Sequence, residues 1–202
     1  METERLNKRE WFIRDVPLSC AQDLIAKHHY MVGGSNTGIF VHGLFRKDSS
    51  RLWGVAWWLP PTRACAKASF DGDPDAVLAL TRLVCIPEAP KNAASFLIGQ
   101  SIRAIAADGR YECLLTYADT RMNHTGAIYR ATNWEYIGLT KPTDCWLDAN
   151  GRTVARKRGP RTLTESEMLS RGYRKTGSFA KHKFRKLLPV AKQSRQSALF
   201  EI

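Results

Sequence analysis

Acidic residues are scarce in this chain: 19 Asp and Glu stand against 31 Lys and Arg in 202 residues, a net charge of +12. That imbalance excludes an electrically neutral surface, and a polyanionic partner is its usual physical reason. Nucleic acid is the first expectation, because one negatively charged cofactor cannot account for the whole excess. Cysteine is also sparse, with five residues spread along the chain and no C-x-x-C pair. This argues against a structural zinc and for reduced thiols, several of them buried. No apolar run is long enough to cross a bilayer, and Met1 is followed by the charged E-T-E-R-L-N-K-R-E rather than by an apolar core. The expectation is therefore a soluble, cytoplasmic protein. The length suits one α/β domain with a full core plus a tail.

The informative stretch runs from Leu80 to Gly138 and reads as strand, helix, strand, helix. L-T-R-L-V-C-I-P is apolar on both sides of Arg82, so the arginine must meet an acidic partner or face a cleft. After Pro87 and Pro90, Asn92 and Ser95 open a helix with an apolar stripe through Phe96, Leu97, Ile102 and Ile105. Its free N–H groups and dipole suit an anion, although both residues equally serve as simple caps. Y-E-C-L-L-T-Y-A-D is a buried strand ending in Asp119, which either caps the next loop, pairs with Arg121, or acts as a base or metal ligand. His124, in N-H-T-G, is a structural group at a helix start or an assistant to Asp119.

Upstream, Pro17 and Ser19 start a helix whose apolar positions Cys20, Leu24 and Ile25 share a face. It ends near His28, and Tyr30 beyond it is either a partly buried aromatic or a group facing the site. I-F-V-H-G-L-F-R and R-L-W-G-V-A-W-W-L-P-P form a hairpin pattern, with Trp53, Trp57 and Trp58 as core packing or as base-stacking groups. Residues 60 to 75 read as an irregular connection of the kind that often carries function. Downstream, Asn150-Gly151 is the strongest short hairpin signal, and the core is expected to close near Gly159. Residues 160–188 read as a basic helical segment ending in K-H-K-F-R-K-L-L. Lys181, Lys183 and Arg185 there form a solvated surface or phosphate contacts. Residues 189–202 read as a loosely held tail.

Two resemblances meet on the central stretch. G-A-I-Y-R-A-T-N-W-E-Y-I-G (126–138) resembles the helix-to-strand signature of the GNAT acyltransferase superfamily. The implied fold is α/β (α+β), a GNAT-like mixed central sheet flanked by helices, with a basic C-terminal extension to a single domain over residues 1–188. The GNAT donor loop, Q/R-x-x-G-x-G/A, is replaced here by P-E-A-P-K-N-A-A-S, which argues against ordinary acetyl-CoA and leaves the donor unknown. L-T-R-L, the run Pro90, Asn92, Ser95, Phe96 and Leu97, T-Y-A-D, N-H-T-G-x-I-Y-R-A-T-N-W-x-Y-x-G and H-Y (29–30) together resemble the Mom family of phage DNA-modification proteins, over roughly residues 24 to 185.

That resemblance implies an enzyme placing a carbamoylmethyl group on the exocyclic amine of adenine in double-stranded DNA, shielding it from restriction. For a phage-encoded protein the compartment would be the host cytoplasm. Family-important positions fall on Tyr30, Arg82, Ser95 and Asp119. An iron(II) ion is implied as well, for which His29, Tyr30, Asp119 and His124 are the oxygen and nitrogen ligands at hand. The adenine must leave the duplex to expose its amine. Asp119 would orient or deprotonate it, Arg82 with the Asn92/Ser95 helix start would hold an anionic donor, and Tyr30 would donate a proton or stack on the base. Lys181, Lys183 and Arg185 would hold the backbone. The alternatives are a GNAT acyltransferase using an acyl-CoA on a small amine, protein or RNA-linked substrate, and a non-catalytic DNA-binding protein. In the latter, Arg82 and Asp119 would pair and face no pocket.

Overall fold

A computed structural model describes residues 5–30, 36–158 and 161–189. Its centre is a seven-stranded sheet built from β1 (Trp11–Asp15), β2 (Phe40–Arg46), β3 (Gly54–Leu59), β4 (Val77–Cys85), β5 (Cys113–Asp119), β6 (Glu135–Leu139) and β12 (Lys181–Leu187), in the order β1-β2-β3-β4-β5-β12-β6. Only β4 and β5 run parallel, because the helix α3 (Ala93–Asp108) crosses between them. The other neighbours are antiparallel.

Helix α3 covers one face of the sheet. Its Leu97, Ile98 and Ile105 pack with Trp58, Leu78, Leu80, Leu114 and Phe184 in the largest apolar cluster. The short helix α4 (Ala127–Ala131) adds Tyr129 to the same cluster. The opposite face carries α1 (Leu18–His28), whose Ala21 and Ile25 meet Val55, Trp57 and Val84. It also carries α2 (Arg63–Lys67), whose Ala66 meets Val77, Ala79, Cys113 and Leu115. Strand alternation explains the division, since successive side chains leave a strand on opposite faces. Trp57 and Trp58 are accordingly both core, one on each face, and Trp53 packs edge-on against Trp11 at 5.1 Å. Burial of Trp57 and Trp58 leaves neither free to stack on a base.

Several expectations change. The inward stripe of α1 is Ala21 and Ile25, both buried, with Leu24 partly buried beside them, while Cys20 lies exposed. The irregular stretch contains α2, capped by Thr62, whose side-chain oxygen accepts from the Cys65 N–H at 3.3 Å. The segment expected to be helical from 160 to 188 holds one short helix, α5 (Glu165–Ser170), preceded by a two-residue strand at Arg161–Thr162 and followed by two longer strands, β11 (Arg174–Phe179) and β12. K-H-K-F-R-K-L alternates: Lys181, Lys183 and Arg185 pair with Asp119, Tyr117 and Leu115, while Phe184 points to the α3 face and is fully buried. A period of two is a strand signal, and its fully buried phenylalanine anchors it. The core therefore does not close at Gly159, because β12 fills the sheet's interior beside β5. The expected tail lies, beyond Pro189, outside the described residues.

Between β6 and β12 the chain builds a second small layer. β7 (Thr143–Leu147) pairs with β8 (Thr153–Val154) across the expected Asn150-Gly151 turn, and with β11 on its other side. The two-residue strands β9 (Lys157–Arg158) and β10 (Arg161–Thr162) pair beside it. Trp146, Leu163 and Met168 form its own core, with Val154 and Tyr173 against it.

Burial fixes thiol reactivity. It pushes the Cys85 thiol up to about 12 and the Cys113 thiol up to about 11, so both stay protonated near neutrality and are poor nucleophiles. Alkylation of the native protein at about pH 8 is expected to mark exposed Cys20 and to leave these two until denaturant is added. Peptide mapping showing equal labelling of all three overturns the assignment.

Candidate active site

β4 and β5 pair only from Val77–Cys113 to Leu80–Thr116, and then separate. The last link is the Thr116 hydroxyl, donating to the Leu80 carbonyl at 3.4 Å. Past it β4 stays with β3 and β5 with β12, leaving a fork with unladdered backbone edges. A cavity of about 650 Å³ occupies this fork.

A bulge aims the first key residue. The β3–β4 register shifts between Trp57 and Trp58, so that Trp57 pairs with Arg82 and Trp58 with Leu80, and Thr81 is the extra residue. Its hydroxyl donates to the Trp57 carbonyl at 3.1 Å. Without the bulge, Arg82 would follow Leu78 and Leu80 into the α3 core; with it, Arg82 shares the face of Trp57 and Val84. On β5, alternation puts Tyr117 and Asp119 on that same face, with Leu115. Arg82 and Asp119 thus line one cavity. β4 begins three residues before the predicted strand, which places Arg82 beyond its middle.

Asp119 is 9% exposed and ends β5. Its Oδ1 accepts the Arg121 backbone N–H at 3.0 Å, capping the turn that follows. One oxygen is therefore held by the backbone while the carboxylate borders the cavity. Tyr30 enters from the end of α1. Its phenol is pushed up to about 12, by burial first and then by the nearby Asp119 charge, with Arg82 opposing. It remains a neutral O–H donor across the physiological range. Burial lowers the Arg82 guanidinium from its ordinary value, and Tyr30 opposes this; an arginine so perturbed keeps its proton near neutrality. Its Nη1 donates to the Thr81 carbonyl at 2.8 Å.

The aromatic wall is continuous. The His29 ring stacks on Tyr30 at 4.5 Å, and Tyr30 meets His124 edge-on at 5.5 Å. All three rings line the cavity. For the implied iron the donor set does not fit. Among the described residues no three His, Cys, Asp or Glu groups converge, and His29 and His124 are engaged in ring contacts with Tyr30.

Asn92 and Ser95 do not line the cavity. Asn92 starts α3 in the left-handed region (φ 70°) without a side-chain cap bond, and the Ser95 hydroxyl donates back to the Asn92 carbonyl at 2.9 Å. Their observed role is helix initiation. The preceding loop lacks N–H groups at Pro87 and Pro90, and Leu6 N–H donates to its Lys91 carbonyl at 3.3 Å. It offers a coenzyme A pyrophosphate little of the amide cradle that a glycine-rich loop provides.

Of the predicted phosphate contacts, Lys181 lines the cavity, and Lys183 donates to the Ala68 carbonyl at 3.5 Å. Arg185 is held by Glu135 at 2.8 Å and by the Ser69 carbonyl at 3.0 Å. Among the cavity residues not anticipated are Tyr117 and Cys65. Tyr117 lies two positions before Asp119 on one strand, so alternation alone would have found it. Cys65, whose Sγ is 2.7 Å from the Tyr117 hydroxyl, sits on the unpredicted α2 and had no local signal.

Solved structures with a similar fold include acetyltransferases. The ribosomal-protein-S18-alanine N-acetyltransferase from Escherichia coli matches 93% of this chain and 99% of its own, at 10% identity and a TM-score of 0.55. Arabidopsis thaliana NAA60 in complex with a bisubstrate analogue matches 90% of this chain and 99% of its own, at 9% identity and a TM-score of 0.60. The putative acetyltransferase yncA from Salmonella typhimurium, with its cofactor acetyl-CoA, matches 89% of this chain and 94% of its own, at 9% identity and a TM-score of 0.55. At such identities these likenesses establish the fold, which is GNAT-like. No curated protein matches the sequence. The model of the Mom protein family matches residues 10–201, nearly the whole chain including the fork and its cavity, and the chain accordingly belongs to the Mom protein family.

Proposed function

We propose that this protein is a DNA-modifying transferase that places a carbamoylmethyl group on the exocyclic amine of a flipped adenine and so shields the DNA from restriction. The observation that carries the reading is the convergence of Arg82, Asp119 and Tyr30 on one cavity at the strand fork of a Mom-family chain. The amine is a poor nucleophile, because its lone pair is delocalised into the ring. Asp119 takes its proton as the new N–C bond forms, and the donor's leaving group departs with the electrons of the bond that breaks. The Tyr30 phenol, protonated at working pH, donates a hydrogen bond to the base or to the departing group. The His29, Tyr30 and His124 rings offer the flipped base a stacking wall.

Arg82 holds the anionic part of the donor, whose chemistry is not that of a coenzyme A gripped by a glycine-rich loop. The open edges of β4 and β5 supply backbone donors and acceptors to its extended portion.

The test is mass analysis of nucleosides from the DNA of cells producing the wild-type protein. Modified adenine is the expected result, together with resistance of that DNA to restriction enzymes. The likeness to acetyltransferases favours one other reading, an acyl-CoA-dependent transferase acting on a small amine, a protein or an RNA-linked substrate. Unmodified adenine, with coenzyme A retained through mild purification, would select it.

A further inference from the structure

The chain between Thr140 and Ala180 carries nine Lys and Arg against four Asp and Glu, and the four acids are already engaged. Asp144 pairs with Lys175 at 3.1 Å and Arg156 at 3.6 Å. Glu165 pairs with Lys175 at 3.7 Å, and Glu167 pairs with Arg161. Asp148 Oδ1 accepts the backbone N–H groups of Asn150 and Arg152 at 2.9 and 2.8 Å, which closes the β7–β8 turn. Lys141, Arg152 and Arg174 are exposed and form no ion pair among the described residues. Their charge has no internal counterpart.

Register shows where this charge is directed. Thr153 and Arg174 both pair with Leu147, so all three share one face of the small sheet; Trp146, Val154 and Lys175 lie on the other, over the layer's own core. The Thr153 hydroxyl accepts from Arg121 Nη2 at 2.7 Å, two residues beyond Asp119. The face of Arg174 is therefore the one turned to the loop that leaves the cavity. Buried Arg121 Nε has no hydrogen-bond partner among the described residues. At the layer's base, Thr140 N–H donates to the Lys181 carbonyl at 2.9 Å, and Lys181 N–H donates to Thr140 Oγ1 at 3.0 Å. Lys141 thus adjoins a lysine that lines the cavity.

We propose that residues 140–180 form a phosphate-gripping wing, in which Lys141, Arg152 and Arg174 hold the DNA backbone beside the mouth through which the base enters. The assignment rests on the DNA reading above, and it moves the main backbone contacts away from β12, where Arg185 is already held by Glu135. Phosphate contacts of this kind position the duplex without reading its sequence. Each one adds about 0.9 to the slope of log affinity against log salt.

The experiment measures duplex binding by fluorescence anisotropy over a salt series. It compares the wild type, the triple variant Lys141→Ala/Arg152→Ala/Arg174→Ala, and Arg103→Ala on the exposed side of α3. None of the three replaced wing side chains makes an ion pair among the described residues, so the melting temperature is expected to hold. The triple variant is expected to lose about two to three units of slope and at least about tenfold in affinity at moderate salt, with Arg103→Ala close to wild type. A wild-type slope in the triple variant overturns the wing and leaves the DNA reading standing. An equal drop per charge removed in Arg103→Ala overturns it too, because net charge alone would then be responsible. A wild-type protein that shows no salt-dependent duplex binding, or binds single-stranded RNA instead, overturns both.

Discussion

DNA from cells making the Asp119→Asn variant is expected to carry at least about 100-fold less modified adenine than DNA from cells making the wild type, the low end of what a positioned general base contributes. The substitution is chosen for what it preserves. Asparagine keeps a side-chain oxygen in the place of Oδ1, so the Arg121 N–H keeps its acceptor and the turn after β5 its cap. It cannot accept a proton near neutrality, and it removes the negative charge that helps raise the Tyr30 phenol. Tyr30 in this variant should therefore titrate at lower pH than in the wild type, which ultraviolet titration of the phenolate can follow. A folded variant with normal yield in nucleoside mass analysis removes Asp119 from the chemistry.

Phe184→Ala is expected to cost about 3 to 5 kcal/mol of folding stability, measured as a shift in the urea midpoint. For a domain of ordinary stability that is a large share of the whole. Phe184 is fully buried, with its ring centroid 5.3 Å from that of Tyr129 and 5.4 Å from that of Tyr136. Gly126, at φ +75°, lies so close that a Cβ there would sit 2.3 Å from the Phe184 ring. Gly126→Ala is consequently destabilising on its own, and part of its cost should vanish in the Phe184→Ala background, where the clash is gone and only the backbone strain remains. A loss below about 1 kcal/mol for Phe184→Ala would mean that β12 is not the packed strand described.

The residues that met at the site were legible where one strand or helix start carried them. Arg82 between apolar neighbours, Asp119 at a strand end and Tyr30 after a helix each signalled polarity in the wrong environment, and the fold brings them to one cavity. The single-residue bulge at Thr81 that swings Arg82 to the face of Asp119 left no mark in composition or period. That Asn92 and Ser95 lie outside the cavity was not legible for a related reason: a helix start attracts anions wherever it lies, and local sequence does not say which way it opens. The segment 160–188 was misread because its charges masked its alternation. Lys181, Lys183 and Arg185 share a face with Asp119, Tyr117 and Leu115, a pairing between stretches some sixty residues apart that no local window contains.

That pairing has a consequence for synthesis. A chain that has emerged only through Phe179 still has an open central β-seam: β5 lacks its antiparallel neighbour, and β6 has nothing to bind. The edge left bare is the one that ends in Asp119. Until Lys181–Leu187 emerges and threads into the gap, β5 keeps an unpaired backbone edge of the kind that invites wrong pairing. The Asp119 end of the cavity thus becomes enclosed only as one of the last steps of folding, and a partly made chain would lack the wall that β12 gives it.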